Sequence, residues 1–214
     1  MSSKKYYIAG SLTGILFLIL LIIVKSDHLN SPISWLDTPI QNMIYPLQSN
    51  HFLVTLSGMI AKFLGDTIGA ITGFVIFVIL LICRQKIGAI YLALTASFAV
   101  LLNTGIKAII GRNRPDLHRL PAYIHEPGKS FASGHSTFAT ILFGVLAIII
   151  IRQIKNRYAQ ILTGMIALAL IFLTMFSRIL IGVHYPSDTI AGFLLGLTVI
   201  LFTYPTFVKF DSKK

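Results

Sequence analysis

The sequence predicts an all-α integral membrane protein: a bundle of six transmembrane helices, with a short interfacial helical segment between the first and second spans. Three observations carry this expectation. Of 214 residues, 55% are hydrophobic and only 12% charged, and the mean hydropathy is +0.81. A soluble domain carries about 25% charge, and this composition folded in water would expose large apolar patches. The apolar residues also gather in runs close to the roughly 20 residues that a spanning helix needs, and several of the turns between them are short and basic.

The first run, 7–24, follows Lys4 and Lys5. It is long for the apolar part of a signal peptide, and no small-residue cleavage site follows Lys25, so it reads as a retained helix. In the polar stretch 26–50, Trp35, Leu36, Ile40, Met43 and Ile44 recur at helical spacing and Pro46 ends the pattern. This segment reads as a helix in the headgroup region, with Trp35 and Tyr45 as anchors. A short segment, 52–64, leads through Gly65 and Asp66 into the second span, 67–83, closed by Arg84 and Lys86. The third span is 88–110, and a long polar loop, 111–134, follows it. The fourth span, 135–151, ends in a basic turn of Arg152, Lys155 and Arg157; the fifth and sixth are 161–180 and 186–208. No repeat or low-complexity tract divides the chain, so 1–214 reads as a single domain.

The charges orient this bundle. With the N-terminus inside, the inner side collects Lys4, Lys5, Arg84, Lys86, Arg152, Lys155, Arg157, Lys209, Lys213 and Lys214, with Asp211 its only acid. Short basic cytoplasmic loops are what set the orientation of helical membrane proteins, so both termini are expected in the cytoplasm. The net charge of +11 would suggest nucleic acid in a soluble protein, but these residues are scattered between apolar runs and form no stripe. Contact with membrane lipids accounts for them, and no nucleic-acid partner is expected. The single Cys83 excludes an intramolecular disulfide framework or a cysteine-rich metal site, and reads as a packing cysteine.

Against this apolar background, three polar clusters fall at outer helix ends. Lys107 closes the third span, with Arg114 and Pro115 beyond it; Ser133, Gly134 and His135 open the fourth; Ser177 and Arg178 lie in the end of the fifth, with His184 and Asp188 around the start of the sixth. Ionisable groups near membrane depth cost about 2.5–3.5 kcal/mol each at a helix centre, which makes them functional candidates. Lys107, Arg114 and Arg178 offer point and fork geometry for a phosphate. Ser133 and Gly134 offer backbone N–H groups at the positive end of a helix dipole. Two histidines can divide nucleophilic and proton-transfer work, with Asp188 placed to hold the ring of His184 by its second nitrogen. Asp66 reads as an outlying neighbour of the site.

In order and spacing, Lys107-x6-Arg114-Pro115, Ser133-Gly134-His135 and Ser177-Arg178-x5-His184-x3-Asp188 resemble the three-part signature of the type 2 phosphatidic acid phosphatase family. The resemblance implies a six-helix membrane enzyme that hydrolyses lipid phosphates or diphosphates with no metal or other cofactor. By that analogy His184 is the nucleophile, Asp188 orients it, and His135 is the general acid. Lys107, Arg114, Ser133, Gly134 and Arg178 then bind the phosphoryl oxygens. One departure is Ala132, where the family usually has proline; it is expected to loosen the loop before the fourth span. The remaining polar residues take plainer readings. Arg112 and Arg119 are assigned to headgroup or loop contacts, Glu126 to pairing with a neighbouring base, and His28, His51, His118 and His125 to structural hydrogen bonding. Gly192 and Gly196 have the spacing of tight helix packing. The expected substrate is a lipid phosphate such as undecaprenyl pyrophosphate, phosphatidylglycerol phosphate or phosphatidic acid. A phosphotransferase and, less favoured, a lipid or anion transporter are the alternatives. The sequence leaves the oligomeric state open.

Overall fold

Punctuation residues set where the chain turns. Gly111, at φ +70°, ends one long helix in the left-handed conformation that favours glycine. The side chains of Asn50, Ser133 and Asn156 each accept a hydrogen bond from a first-turn backbone N–H and so open the helices that follow. Pro186 fits the first turn of the last helix, where its missing N–H costs nothing. The computed structural model describes residues 3–212, which hold eight α-helices and two short 3₁₀ turns at Tyr45–Ser49 and Pro121–Tyr123. The helices are α1 (Ser3–Asp27), α2 (Asp37–Ile44), α3 (His51–Phe63), α4 (Asp66–Ile82), α5 (Lys86–Ile110), α6 (Gly134–Ile151), α7 (Arg157–Leu180) and α8 (Pro186–Asp211).

Among the described residues, α1, α5, α6, α7 and α8 are each long and apolar enough to cross a membrane. The second predicted span is built differently. At 17 residues, α4 measures only about 25 Å, short of a hydrocarbon core about 30 Å thick. It is bent by 67° from α3, so the described residues hold five such spans, or six where the bent pair counts as one crossing. Large apolar side chains face outward all along the bundle: Leu12 and Ile22 on α1, Phe74 and Ile82 on α4, Leu101 on α5, Ile161 and Met165 on α7. Such a surface suits lipid, and this is a multi-pass membrane protein.

The bundle is centred on α8, which packs against α1, α5, α6 and α7. Two glycines allow its closest approach. A Cβ at Gly192 would lie 2.5 Å from the carbonyl oxygen of Ser133, and one at Gly196 would lie 2.8 Å from the Cβ of Thr140. The tight-packing reading of these glycines therefore describes the α6–α8 contact. That contact sets the start of α6 beside the start of α8, and the end of α7 and the loop 111–134 meet them at the same end of the bundle.

Helix α2 turns Asp37 and Gln41 into the protein and leaves Met43 76% exposed, its apolar side outward as an interfacial helix requires. Two expectations need correction. Trp35 is exposed, as an anchor requires, but the half-buried Tyr45 stacks on His118 at 4.5 Å and accepts a hydrogen bond from Gln41. Cys83 is exposed, because the helix ends there and turns its last residue out of the packing. Lys213, Lys214 and the side chain of Asp66 lie outside the described residues.

Candidate active site

His184 sits in the tight turn between α7 and α8, 1% exposed, and the partners of its two ring nitrogens fix its tautomer. Nε2 lies 3.2 Å from Nη1 of Arg114. A guanidinium only donates, so Nε2 presents its lone pair. Nδ1 lies 3.4 Å from Oδ2 of Asp188 and 3.3 Å from Oγ of Ser130, whose hydroxyl donates to that same carboxylate oxygen. The Nδ1 proton therefore faces the acid. Burial, followed by the charges of Arg114, Arg178, Lys107 and His135, holds His184 well below the usual imidazole range, so the ring is neutral at neutral pH.

Asp188, four residues on, lies in the first turn of α8. Its Oδ2 also accepts from the backbone N–H of Tyr185 at 2.9 Å, and its Oδ1 accepts from Nη1 of Arg112 at 2.7 Å. Every partner is a donor, as an ionised carboxylate requires. Arg112 is fully buried, with its guanidinium 4.0 Å from the ring centre of Tyr185. This corrects its assignment to headgroup or loop contacts: the charge turns inward because two buried carboxylates, Asp188 and Asp37, receive it.

On the other side of His184 lies a cavity of about 380 Å³ between α4, α5 and α6, lined by Lys107, Arg114, Glu126, Gly134, His135 and His184 together with apolar side chains. Arg114 is held by the carbonyls of Pro127, Gly128 and Val183. Burial lowers its pKa to about 10, with Arg178 pushing the same way, so it remains charged at neutral pH. Lys107 reaches the carbonyl of Lys129 at 3.0 Å. Arg178, 1% exposed, donates to Oε1 of Glu126 at 2.5 Å, so the base that pairs with Glu126 is one of the expected phosphate ligands. His135 points Nε2 at the carbonyl of Ala61 at 2.9 Å; a carbonyl only accepts, which places a proton on that nitrogen.

Five of the eight expected site residues, Lys107, Arg114, Gly134, His135 and His184, line one cavity; Asp188 backs His184, and Arg178 bonds Glu126 of the lining. Ser133 stands apart: it is fully buried, its N–H bonds the carbonyl of Asp188, and its hydroxyl contacts Ser136. It ties the starts of α6 and α8 together and does not line the cavity. Phe131 and Ala132 are fully buried, Phe131 packs on Phe17, and Asn103 donates to the carbonyl of Ala132 at 3.2 Å.

Residues 88–211, more than half of the chain, match the family model described as the PAP2 superfamily. The chain belongs to the PAP2 superfamily. The PAP2 segment carries all eight expected site residues. The chain is 36% identical over 102 residues to phosphatidylglycerophosphatase B of Bacillus subtilis, a match covering 45% of this chain and 47% of that protein. It is 38% identical over 130 residues to lipid A 1-phosphatase of Rhizobium johnstonii, covering 58% and 49%. With an undecaprenyl-diphosphatase of Sulfolobus acidocaldarius it shares 32% identity over 115 residues, covering 52% and 51%. These matches span about half the length of each curated relative. The fold agrees over far more of the chain. A crystal structure of a transmembrane PAP2 type phosphatidylglycerolphosphate phosphatase from Bacillus subtilis superposes with a TM-score of 0.78 at 25% identity, covering 95% of this chain and 96% of that one.

Three site residues escaped the sequence reading: Ser130, Arg112 and Asp37. Ser130 carries no signal, since a lone serine in a polar loop is ordinary. Arg112 had one, its spacing two residues before Arg114 in a chain with few charges. Asp37 precedes the PAP2 segment and was visible only as one of seven acidic residues.

Proposed function

We propose that this chain is a membrane lipid phosphatase that removes the terminal phosphate of a lipid phosphate or diphosphate through a phosphohistidine at His184. One observation carries the reading. A neutral imidazole presents its Nε2 lone pair beside a cavity lined by Lys107 and Arg114, with Arg178 held against the lining residue Glu126, while an ionised Asp188 holds Nδ1. In the first step Nε2 attacks phosphorus and the bond to the lipid oxygen breaks. That oxygen takes a proton from His135, which acts as an imidazolium once the substrate phosphate is beside it, gives up its hydrogen bond to Ala61 and is left neutral. Arg114 transfers its donor from Nε2 to a phosphoryl oxygen, joining Lys107, Arg178 and the N-terminal amides of α6 around Gly134. In the second step His135 takes a proton from water, the water oxygen bonds phosphorus, the P–N bond breaks, and phosphate leaves. Ser133 contributes by fixing the turn that carries these groups.

The reading includes a single domain over 1–214, no required metal or other cofactor, cytoplasmic termini, and a site at the outer face of the cell membrane. The excess of Lys and Arg at the end of the bundle opposite the site supports that orientation. Undecaprenyl pyrophosphate, phosphatidylglycerol phosphate and phosphatidic acid are the substrates to compare. Purified protein in detergent, given each lipid with no acceptor and with a chelator present, should release inorganic phosphate, and His184→Ala should release none. Release by His184→Ala at the parent rate would remove the nucleophile. Release only when an alcohol acceptor is supplied would make the enzyme a phosphotransferase.

A further inference from the structure

The acid that orients His184 is itself held by a residue outside the PAP2 segment. Asp37 opens α2 and is fully buried. Its Oδ1 accepts from the backbone N–H of Ser187 at 2.7 Å. Its Oδ2 accepts from the N–H of Ile33, the hydroxyl of Ser187 and Nη2 of Arg112, at 2.8, 2.9 and 3.1 Å. The carboxylate meets only donors and is ionised. Arg112 is equally saturated. Nε bonds the carbonyl of His28, Nη2 also bonds that of Ser31, and Nη1 is shared between Ser187 and Asp188. One buried guanidinium therefore serves two buried carboxylates, and the trio carries a net charge of about −1.

We propose that Asp37 is a positioning residue for the nucleophile: by neutralising Arg112 and clamping it to the first turn of α8, it leaves the charge of Asp188 available to the His184 ring. If Arg112 faced Asp188 alone, the two would form a closed neutral pair. The positive ring that forms when Nε2 bonds phosphorus would then lose its counter-charge. With Asp37 present, the trio and a cationic His184 sum to zero. Ser187 serves both ends of the clamp, accepting from Arg112 and donating to Asp37.

This inference rests on the phosphohistidine reading, and the test separates the two. Full-length Asp37→Asn keeps the size of the side chain and removes its charge; Asp37→Glu keeps the charge. Both are assayed with dioleoyl phosphatidic acid in detergent micelles, on the folded fraction isolated by size exclusion, alongside His184→Ala. Asp37→Asn should lose about 10- to 100-fold in kcat, the usual scale for an outer hydrogen-bond partner, while KM stays near the parent value. Its acidic limb in kcat/KM should move to lower pH, because a His184 with less negative charge beside it binds a proton more weakly. The other groups facing His184 are unchanged in both variants: Asp188 of α8, Arg178 of α7, Lys107 of α5, His135 of α6, and Arg114 and Ser130 of the loop. Asp37→Glu should retain more activity and the parent limb. Parent kcat in Asp37→Asn overturns the proposal. So do equal losses in both variants with an unmoved limb, or an Asp37→Asn that yields no folded protein while Asp37→Glu does, since each makes Asp37 a packing residue. Activity in His184→Ala refutes the phosphohistidine reading itself, whereas an inactive His184→Ala beside a fully active Asp37→Asn removes only the role of Asp37.

Discussion

Replacing Glu126 with glutamine should tighten the binding of phosphate. Glu126 lines the cavity and places Oε1 2.5 Å from Nη2 of Arg178, a guanidinium that is 1% exposed. A carboxylate there occupies donor capacity that a phosphoryl oxygen would use, so an arriving anion has to displace it. A hydrogen bond to a charged group is worth about 1.5–3 kcal/mol. The Glu126 side chain is 22% exposed, so water recovers part of that as the pair opens, leaving about 1–2 kcal/mol. Removing the negative competitor should therefore lower the inhibition constant for inorganic phosphate, and KM for a lipid phosphate, by roughly 5- to 30-fold. No rise in kcat is expected, because Glu126 contacts neither histidine. Initial rates of phosphate release from mixed micelles, with and without added inorganic phosphate, give all three quantities. An unchanged or higher inhibition constant in Glu126→Gln would refute the displacement argument. It would show that the carboxylate builds the anion site instead of blocking it.

Two further outcomes follow from the turn that carries His184. Gly182 has φ +79°, and a Cβ there would run into the backbone of His118 and Arg119; Gly182→Ala should cost at least about 1–2 kcal/mol for the left-handed conformation alone. Thermal unfolding in detergent should show the loss, and an unchanged midpoint would contradict the packing of the 111–134 loop over this turn. The second outcome concerns acid. In the folded site His184 binds its proton more weakly than in the unfolded chain, where imidazole titrates near about 6.5. As pH falls below that value the unfolded chain takes up a proton that the folded site refuses, so stability present above it declines. The unfolding midpoint should drop between about pH 7 and 5, and His184→Gln should flatten that slope; an identical slope in the variant would assign the acid sensitivity elsewhere.

What the sequence made legible was whatever depends on local pattern. Apolar runs long enough to cross lipid became α1, α5, α6, α7 and α8, and the spaced motif placed Lys107, Arg114, Gly134, His135, Arg178, His184 and Asp188 around one site. What it hid depends on pairing between distant segments. Asp37 and Arg112 lie 75 residues apart, and nothing in either neighbourhood announces the other. The partners of α2 were hidden for a related reason. Its apolar spacing marked a helix beside lipid, but nothing local showed that Asp37 and Gln41 turn into the protein. The bend between α3 and α4 was hidden as well, because two short apolar segments joined at Gly65 fit one kinked crossing as well as a loop followed by a span.

On the proposed phosphohistidine path, the placement of charge around His184 accounts for a ring that is neutral at rest and cationic after phosphorylation. On the Nε2 side stand Lys107, Arg114 and Arg178, three cations that draw a phosphate dianion in and disfavour a resting imidazolium. On the Nδ1 side stand Asp188 and the Asp37–Arg112 pair, one negative charge in excess. Before substrate binds, the cations dominate and Nε2 carries no proton, its lone pair held by Arg114 until a phosphoryl oxygen takes that donor. Once a phosphate has arrived, its own charge cancels much of theirs, and the acidic side then governs the ring at the moment Nε2 gains its bond and the imidazole turns positive. Either half alone would fail. Cations without the acidic cluster would destabilise the phosphohistidine, and the acidic cluster without cations would protonate the ring before the substrate came. The Nδ1 half reaches back to Asp37, so the proposed chemistry draws on α2 as well as on the PAP2 segment that carries His184.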